Sequence, residues 1–272
     1  MKATMTMTRI PASAENKIIA DMARPHSTRL TLIALLLLAG VVAVTVSLGR
    51  WQLHRADERR AVLAAIESGR GQAPLELGSG ASARPGDFAP WRPARARGQW
   101  LAQYSVWLDN RNHDGRPGYW LATPLQLAPG GPAVLVLRGW LARQPGTAPA
   151  APPTPAGPVT VQGELAQRVP RLFELWNMGG GGSLPARLAP GQLPTVQNLD
   201  LAAYGQATGL ALLPVVLMQT VSEDDGLLRD WPQPSVDFHQ NQGYALQWFS
   251  FATIAVLAWV AVAVRAWRRR RP

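Results

Sequence analysis

Cysteine is absent from all 272 residues of this chain. Its absence excludes a disulfide framework, thiolate metal sites and copper carriage through a CxxxC pair. Histidine is scarce, with only four in the chain, and none pairs at the H-x-x-x-H or H-E-x-x-H spacing that zinc enzymes use. The sequence therefore offers no support for thiol redox chemistry or for a zinc enzyme.

Other catalytic motifs are missing as well. No G-x-S-x-G elbow is present, and the run of glycines at 179–182 lacks the Lys-Ser/Thr of a phosphate-binding loop, so it predicts a flexible insertion. The acidic run Glu223, Asp224 and Asp225 before Gly226 predicts a solvated turn, with calcium binding as the less favoured alternative. We therefore expect that the protein is not an enzyme.

Basic residues are in excess, for a net charge of +10, but the excess is confined to the ends of the chain. Residues 1–29 carry five basic and two acidic groups, and residues 265–272 carry five basic groups. Residues 49–243 are nearly balanced, with 17 basic and 15 acidic groups. A nucleic-acid-binding protein would concentrate positive charge on its folded part, so the distribution argues against that function.

Two long runs without charge lie near the ends, Leu30 to Leu48 and Tyr244 to Val264. About 20 helical residues cross the roughly 30 Å core of a bilayer, and an isolated span must be helical because lipid offers no hydrogen-bond partners. A cleaved signal peptide is the alternative for the first run. Its apolar core is usually about 7–15 residues long and is followed by a small-x-small cleavage site, which favours a retained anchor here.

The arginine block after the second run predicts the orientation. Arg265 and Arg268 to Arg271 place the C-terminus in the cytoplasm by the positive-inside rule, and two crossings then place the N-terminus there too. The predicted organisation is a cytoplasmic tail at 1–29, a transmembrane helix at 30–48, an extracytoplasmic domain at 49–243, a second transmembrane helix at 244–264 and a basic cytoplasmic tail at 265–272.

The central segment predicts a mainly β domain of the α+β class. Proline-free residues 49–68 predict a helix that continues out of the membrane, and Asp200 to Thr208 predicts a short helix. Turn-forming residues such as Asp114-Gly115 separate short apolar or alternating runs, which indicates a small barrel or sandwich. Within 71–96, a Gly- and Pro-rich stretch, one short strand is expected. The predicted strands are Arg97 to Leu101, Tyr104 to Asp109, Gly118 to Leu127, Ala133 to Leu141, Val159 to Leu165 and Ala211 to Thr220.

Polar and aromatic residues flank both predicted spans. Trp51, Arg55 and Glu58 share one helix face with His54, and Gln247 lies one turn from Tyr244 on the second helix. An interfacial tryptophan anchor with snorkelling arginines is one interpretation, and a polar docking face for a membrane partner is the other.

Five ordered motifs resemble one family. GRWQLHRADER, LDNRNHDGRPGYWLATPLQL, VLVLRGWL, LLRDWPQP and GYALQWFSFA are similar to the surfeit locus protein family of cytochrome c oxidase assembly factors, over about residues 44 to 265. The resemblance implies a membrane-anchored factor that assists delivery or insertion of haem a into the catalytic subunit of a haem–copper oxidase. Haem A synthase is a second implied partner. The location implied is a bacterial inner membrane, with the central domain in the periplasm.

Site residues are expected at the outer face of the membrane, where polar and aromatic residues flank the spans. His239, Tyr244, Gln247, Trp248 and Arg55 are expected to contact haem a or a partner, with Arg55 facing a propionate. Trp51, Arg55 and Trp248 are expected to bind the oxidase subunit, and no metal site is expected.

One position departs from the family pattern. The family has a histidine three residues before the Tyr-Ala of the second span, and it is the candidate haem ligand. Asn241 stands there in this chain, and His239 is the nearest histidine. Either a local shift lets His239 serve, or this member holds haem differently or not at all. If the topology is considered without the motifs, the alternative function is a tethered scaffold or sensor ectodomain with no haem role.

A second group of motif residues is expected to be structural, forming paired strands around a buried tryptophan. It comprises Asp109, Arg111, Gly118, Tyr119, Arg138, Gly139 and Trp140.

Overall fold

The computed structural model describes residues 28–78, 85–172 and 183–271. Nearly all of the predicted tail 1–29, with His26, lies outside these residues, and so does the glycine run at 179–182. The chain divides into two compact units. One combines the residues up to Arg60 with those from Asp237 onward, and the other is Ala61–Val236.

The strands of the described residues all lie between two long helices, and one short helix precedes the last strand. The helices are α1 (Thr28–Arg70), α2 (Leu201–Thr208) and α3 (His239–Arg270). The strands are β1 (Leu75–Leu77), β2 (Pro93–Trp100), β3 (Val106–His113), β4 (Arg116–Gln126), β5 (Ala133–Ala142), β6 (Pro158–Ala166), β7 (Thr195–Val196) and β8 (Leu212–Gln219). Two 3-10 turns, Pro85–Asp87 and Ala102–Tyr104, precede β2 and β3.

Helices α1 and α3 extend well beyond the apolar runs that predicted them. Helix α1 has 43 residues, so the predicted continuation past the first run is confirmed. Helix α3 has 32 residues and begins five residues before Tyr244. Both are long and apolar enough to cross a membrane, and only 11% of the most apolar window of each is buried. A core helix of a soluble protein would be mostly buried.

Small residues bring α1 and α3 together as an antiparallel pair. Thr45, Gly49 and Ala56 are buried on α1 at spacings of four and seven residues, and Ala245 and Ala252 are buried on α3. Such residues let two backbones approach closely where lipid supplies no hydrophobic driving force. A Cβ added to Gly49 would lie 2.7 Å from the ring of Phe249, so this glycine is the hole that receives the ring.

The second unit is built around a five-stranded barrel. Strands β2, β6, β8, β5 and β4 are hydrogen-bonded neighbours in that order, and β4 pairs back onto β2 at Gln99–Trp100 to close the ring. Strand β1 adds in parallel to β2, while β3 and then β7 extend the sheet from β4. The barrel alternative is therefore confirmed, and β2 to β6 and β8 correspond to the six predicted strands.

The core lies on both faces of β5, which is buried from Ala133 to Trp140. A strand that is covered on both faces is apolar at successive positions rather than at alternating ones. On one side Trp120 packs edge-to-face against Trp231 at a centroid distance of 5.1 Å. On the other side Leu125, Val161 and neighbouring aliphatic residues fill the barrel.

Helix α2 confirms the predicted short helix. Asp200 caps it by accepting a hydrogen bond from the Ala203 N–H at 3.0 Å, and Gly209 ends it in the left-handed conformation. The hydroxyl of buried Tyr204 donates to the carbonyl of Tyr104. Burial raises the pKa of this tyrosine, so it remains a proton donor.

Gly139 on β5 is a position where both the backbone conformation and close neighbours oppose a side chain. Its φ is +155°, and an added Cβ would lie 2.7 Å from the Leu227 Cβ and 2.8 Å from the Leu228 carbonyl oxygen. We expect Gly139→Ala to lower the free energy of unfolding by about 2 kcal/mol, because it adds both backbone strain and overpacking. Thermal unfolding should show a decrease in Tm of about 4–8 °C. Gly86→Ala is the control, since a Cβ added at Gly86 would have no non-neighbouring atom within 4 Å. An equal decrease in Tm there would contradict the explanation.

Candidate functional site

One side of the α1–α3 pair combines aromatic and polar residues from both helices. In an antiparallel helix pair, the residue immediately before a contact residue projects to one side of the pair. It is the same side for both helices. Trp51 and Arg55 precede Gln52 and Ala56 on α1, and Tyr244 and Phe251 precede Ala245 and Ala252 on α3. We call Trp51, Arg55, Tyr244, Gln247 and Phe251 the aromatic face.

The aromatic face is open. Trp51 is 54% exposed, Tyr244 45% and Phe251 53%, and Gln247 is exposed too. Three large rings on one side of a helix pair, beside an amide, form a surface that can pack against a helix or lie at a membrane interface. Helix geometry therefore places four of the six predicted site residues on one side of the pair.

Arg55 already has an ionic partner within its own helix. Its Nη1 donates to Glu58 Oε2 at 2.7 Å, and His54 Nε2 lies 3.3 Å from the other oxygen of that carboxylate. Both side chains of the arginine pair are about half exposed, so the pair contributes little to stability and is free to exchange partners. The contacts of His54 and Arg55 with Glu58 confirm that these three residues of the predicted face lie together.

Trp248 borders the aromatic face through its contact with Phe251, whereas His239 is not part of this surface. Trp248 is half-buried beside the helix contact, and its ring meets the Phe251 ring edge-on at 6.0 Å. His239 is exposed, and its ring packs on Phe238 at 4.1 Å. Trp248 therefore supports Phe251, and His239 is an exposed residue at the beginning of α3.

Asn241 points into the contact between the helices. Its Nδ2 donates to Gln52 Oε1 at 2.6 Å, and its Oδ1 is buried without a hydrogen-bond partner among the described residues. Sequence reasoning singled out Asn241 only as a departure and missed Gln52. The signal for Gln52 is its place three residues after Gly49 and four before Ala56, on the buried side of α1.

The second unit contains a buried ionic cluster around Asp225. Arg229 donates two hydrogen bonds of 2.8 and 2.6 Å to this carboxylate, and Arg138 donates a third at 3.2 Å. The two arginine side chains are 1% and 2% exposed and that of Asp225 is 11% exposed. The predicted solvated turn is therefore wrong for Asp225, although Glu223 and Asp224 are exposed. Sequence reasoning failed because both arginines that bury it come from outside the acidic run.

The ionic state of the cluster follows from its contacts. Burial by itself would raise the pKa of Asp225, but the hydrogen bonds from Arg229 and the Leu227 N–H, with the charges of Arg229 and Arg138, lower it overall. Burial lowers the pKa of Arg138, and the charges of Asp225 and Glu223 oppose this effect. The lowered pKa keeps Asp225 charged at neutral pH. The cluster joins β5 to the chain that follows β8.

Arg111 is a further buried cation, and among the described residues its hydrogen bonds go to backbone carbonyls rather than to a carboxylate. Its Nη atoms donate to the carbonyls of Pro170 and Gln197 at 3.0 and 2.9 Å, and its guanidinium lies 4.5 Å from the Trp120 ring centroid. Burial lowers the pKa of Arg111 to about 10, against the opposing charge of Asp109. The Arg111 guanidinium therefore has a structural role, in which it connects two distant segments of backbone, rather than a role in acid–base chemistry.

Three of the motifs that carry the resemblance meet one another in this unit. Gly118 pairs with Arg111 across β3 and β4, and its missing side chain makes room for the indole of Trp140, 2.4 Å from the place of a Cβ. Trp140 forms a β-bridge with Leu228 of the LLRDWPQP motif. The structural role predicted for the second group of motif residues is confirmed.

No group of three or more metal-ligating side chains occurs in the described ranges. A cleft of about 530 Å³ lies beside the end of β1 and is lined by Glu76, Arg97, Gln99 and Gln126 among others. It gathers no set of acid, base and nucleophile, so it does not form a recognisable catalytic site.

Comparison with known proteins agrees with the ordered motifs. The model of the SURF1 family matches residues 39–253, which is most of the chain. A SURF1-like protein of Rickettsia felis is 29% identical over 103 residues, covering 37% of this chain and 43% of the relative. The aligned part thus spans less than half of that relative. Because the family match includes both units, the chain belongs to the SURF1 family, the surfeit locus family that its motifs resemble.

Proposed function

We propose that this protein is a membrane-anchored assembly factor for a haem–copper cytochrome c oxidase, acting at the stage when haem a enters the catalytic subunit. The observation that carries the proposal is the family match across both units, and the family is one of assembly factors rather than a known class of enzymes. The aromatic face supports the proposal because it offers a membrane-level surface for a partner that is itself in the membrane.

The proposed location is a bacterial inner membrane, with α1 and α3 crossing it and both termini in the cytoplasm. Arg265 and Arg268 to Arg271 close the C-terminal end of α3, and no acidic residue follows Asp237. The positive-inside rule then directs this end to the cytoplasm and the β-barrel to the periplasm. A periplasmic barrel would meet the oxidase catalytic subunit, and also haem A synthase, on the outer side of the membrane.

The residues at the beginning of α3 do not fit a resident haem. Iron needs an axial ligand such as histidine, and Asn241 at the family's histidine position is an amide bonded to Gln52. His239 is exposed and packs on Phe238. We therefore assign the aromatic face to contact with the oxidase subunit. Arg55 provides the charge that a carboxylate of that subunit or of haem a would pair with.

Deletion of this chain from its host tests the proposed function. We expect membranes of the deletion strain to lose haem a absorbance and cytochrome c oxidase activity, while quinol oxidases that use other haems persist. Return of the wild-type chain on a plasmid should restore both readouts. Unchanged haem a spectra in the deletion strain would contradict the proposal and leave the tethered scaffold as the remaining function.

A further inference from the structure

A partly buried polar contact lies between α1 and α3 among small, mostly apolar residues. Thr45, Gly49 and Ala56 line the contact on α1, and Ala245 and Ala252 line it on α3, yet Gln52 and Asn241 meet there through an amide hydrogen bond of 2.6 Å. The buried Asn241 Oδ1 gains no partner from the described residues. An unsatisfied acceptor is costly, so this pair does not serve stability.

The small residues alone leave the alignment of the helices ambiguous. Gly49 and Ala56 are seven residues apart on α1, and Ala245 and Ala252 are seven apart on α3. Sliding one helix by seven residues would again place small residues against small residues. It would also separate Gln52 from Asn241 and leave two amides without partners between the helices, which disfavours the slipped alignment.

We propose that Gln52 and Asn241 are positioning residues that set the register of α1 against α3, and thereby align the two halves of the aromatic face. A single polar pair at a helix contact specifies register at a cost in stability. In this chain Asn241, at the position where the family pattern has a histidine, contributes to the alignment of the two helices. The part about the aromatic face rests on the proposed function, whereas the register itself does not.

The size of the expected change follows from helix geometry. Seven residues of α-helix span about 10 Å, so a slip would move Trp51 and Arg55 by that distance relative to Tyr244 and Gln247. A partner that contacts both helices would then lose one half of its surface.

The chain's lack of cysteine makes the register directly measurable. Ser47 and Ser250 are both exposed, and their hydroxyls donate to carbonyls of their own helices. We would replace both with cysteine in the full-length chain, attach spin labels and measure their separation in lipid nanodiscs by pulsed electron spin resonance. The labelled chain with Gln52 and Asn241 intact should give one narrow distance distribution.

Two further double variants test whether Gln52 and Asn241 set the register. Gln52→Leu with Asn241→Leu should broaden or split the distribution while Tm stays the same or rises, since the unsatisfied acceptor is gone. The exchange Gln52→Asn with Asn241→Gln should restore one narrow distance. A single narrow distance in the leucine variant would overturn the proposal, because Phe249 on Gly49 would then be sufficient to set the register.

The haem a content of membranes separates this inference from the proposed function. A split distance distribution with reduced haem a, both restored by the exchange, supports the register and its role for the aromatic face. A split distribution with normal haem a supports the register and contradicts the use of the aromatic face.

Discussion

Asp225→Asn should destabilise the protein by about 3–5 kcal/mol, the cost of removing one partner from a buried ion pair. Asparagine keeps the shape of the carboxylate but leaves Arg138 and Arg229, at 2% and 1% exposure, with the half-exposed Glu223 as their remaining counter-charge. Thermal unfolding of the full-length protein, followed by tryptophan fluorescence, should show a decrease in Tm of roughly 10 °C or more.

The adjacent acid is a matched control for this prediction. Asp224 is exposed and makes no hydrogen bond or ion pair with the residues that the structure describes. Asp224→Asn removes the same charge one position away, so it should leave Tm nearly unchanged. Equal losses in the two variants would show that net charge, rather than the buried cluster, determines the effect.

The pH dependence of stability gives a second readout of the Asp225 cluster. The folded-state pKa of Asp225 is lowered, so its stabilising contribution is fully present above the unfolded pKa of a carboxyl group. That contribution is lost as pH falls through the folded pKa. Wild-type Tm should therefore fall toward the Tm of Asp225→Asn in strong acid. A constant difference between the two proteins down to the lowest pH would contradict the ionic explanation.

The double variant Trp51→Ala with Tyr244→Ala should abolish most of the proposed assembly activity while leaving the helix pair intact. Both rings are about half exposed and belong to different helices, so their loss removes contact area from the aromatic face without opening a core. Truncation of a central aromatic residue at an interface costs about 2–4 kcal/mol. Co-purification with the oxidase catalytic subunit should thus weaken at least tenfold, and haem a absorbance of the membranes should fall with it.

The opposite side of the same helices provides the control. Leu53 and Leu246 follow the contact positions Gln52 and Ala245 by one, and they are 40% and 70% exposed. Leu53→Ala with Leu246→Ala removes apolar area at the same level of the pair, and we expect wild-type haem a content. Normal haem a content in the Trp51–Tyr244 variant would reduce the aromatic face to an interfacial anchor.

The elements of this fold were predictable where one local pattern was sufficient to specify them. Two uncharged runs predicted α1 and α3, because composition and length alone set a membrane-type helix. Six strands and the capped helix at Leu201–Thr208 followed from alternation and turn residues, which act over a few positions. Strands β1 and β7 have three and two residues, too few to show a period, and only the first was anticipated.

The site residues divide in the same way. Trp51, Arg55, Tyr244 and Gln247 share helix faces that periodicity along each helix predicts, so their grouping was accessible from residue spacing. The pairing of Gln52 with Asn241 joins residues 189 positions apart, and that of Arg138 with Asp225 joins residues 87 apart. No local pattern contains such pairs, because the packing of distant elements determines which polar groups are removed from water. The acidic run at Asp225 is a buried ion pair for that reason, although its own neighbours are solvated.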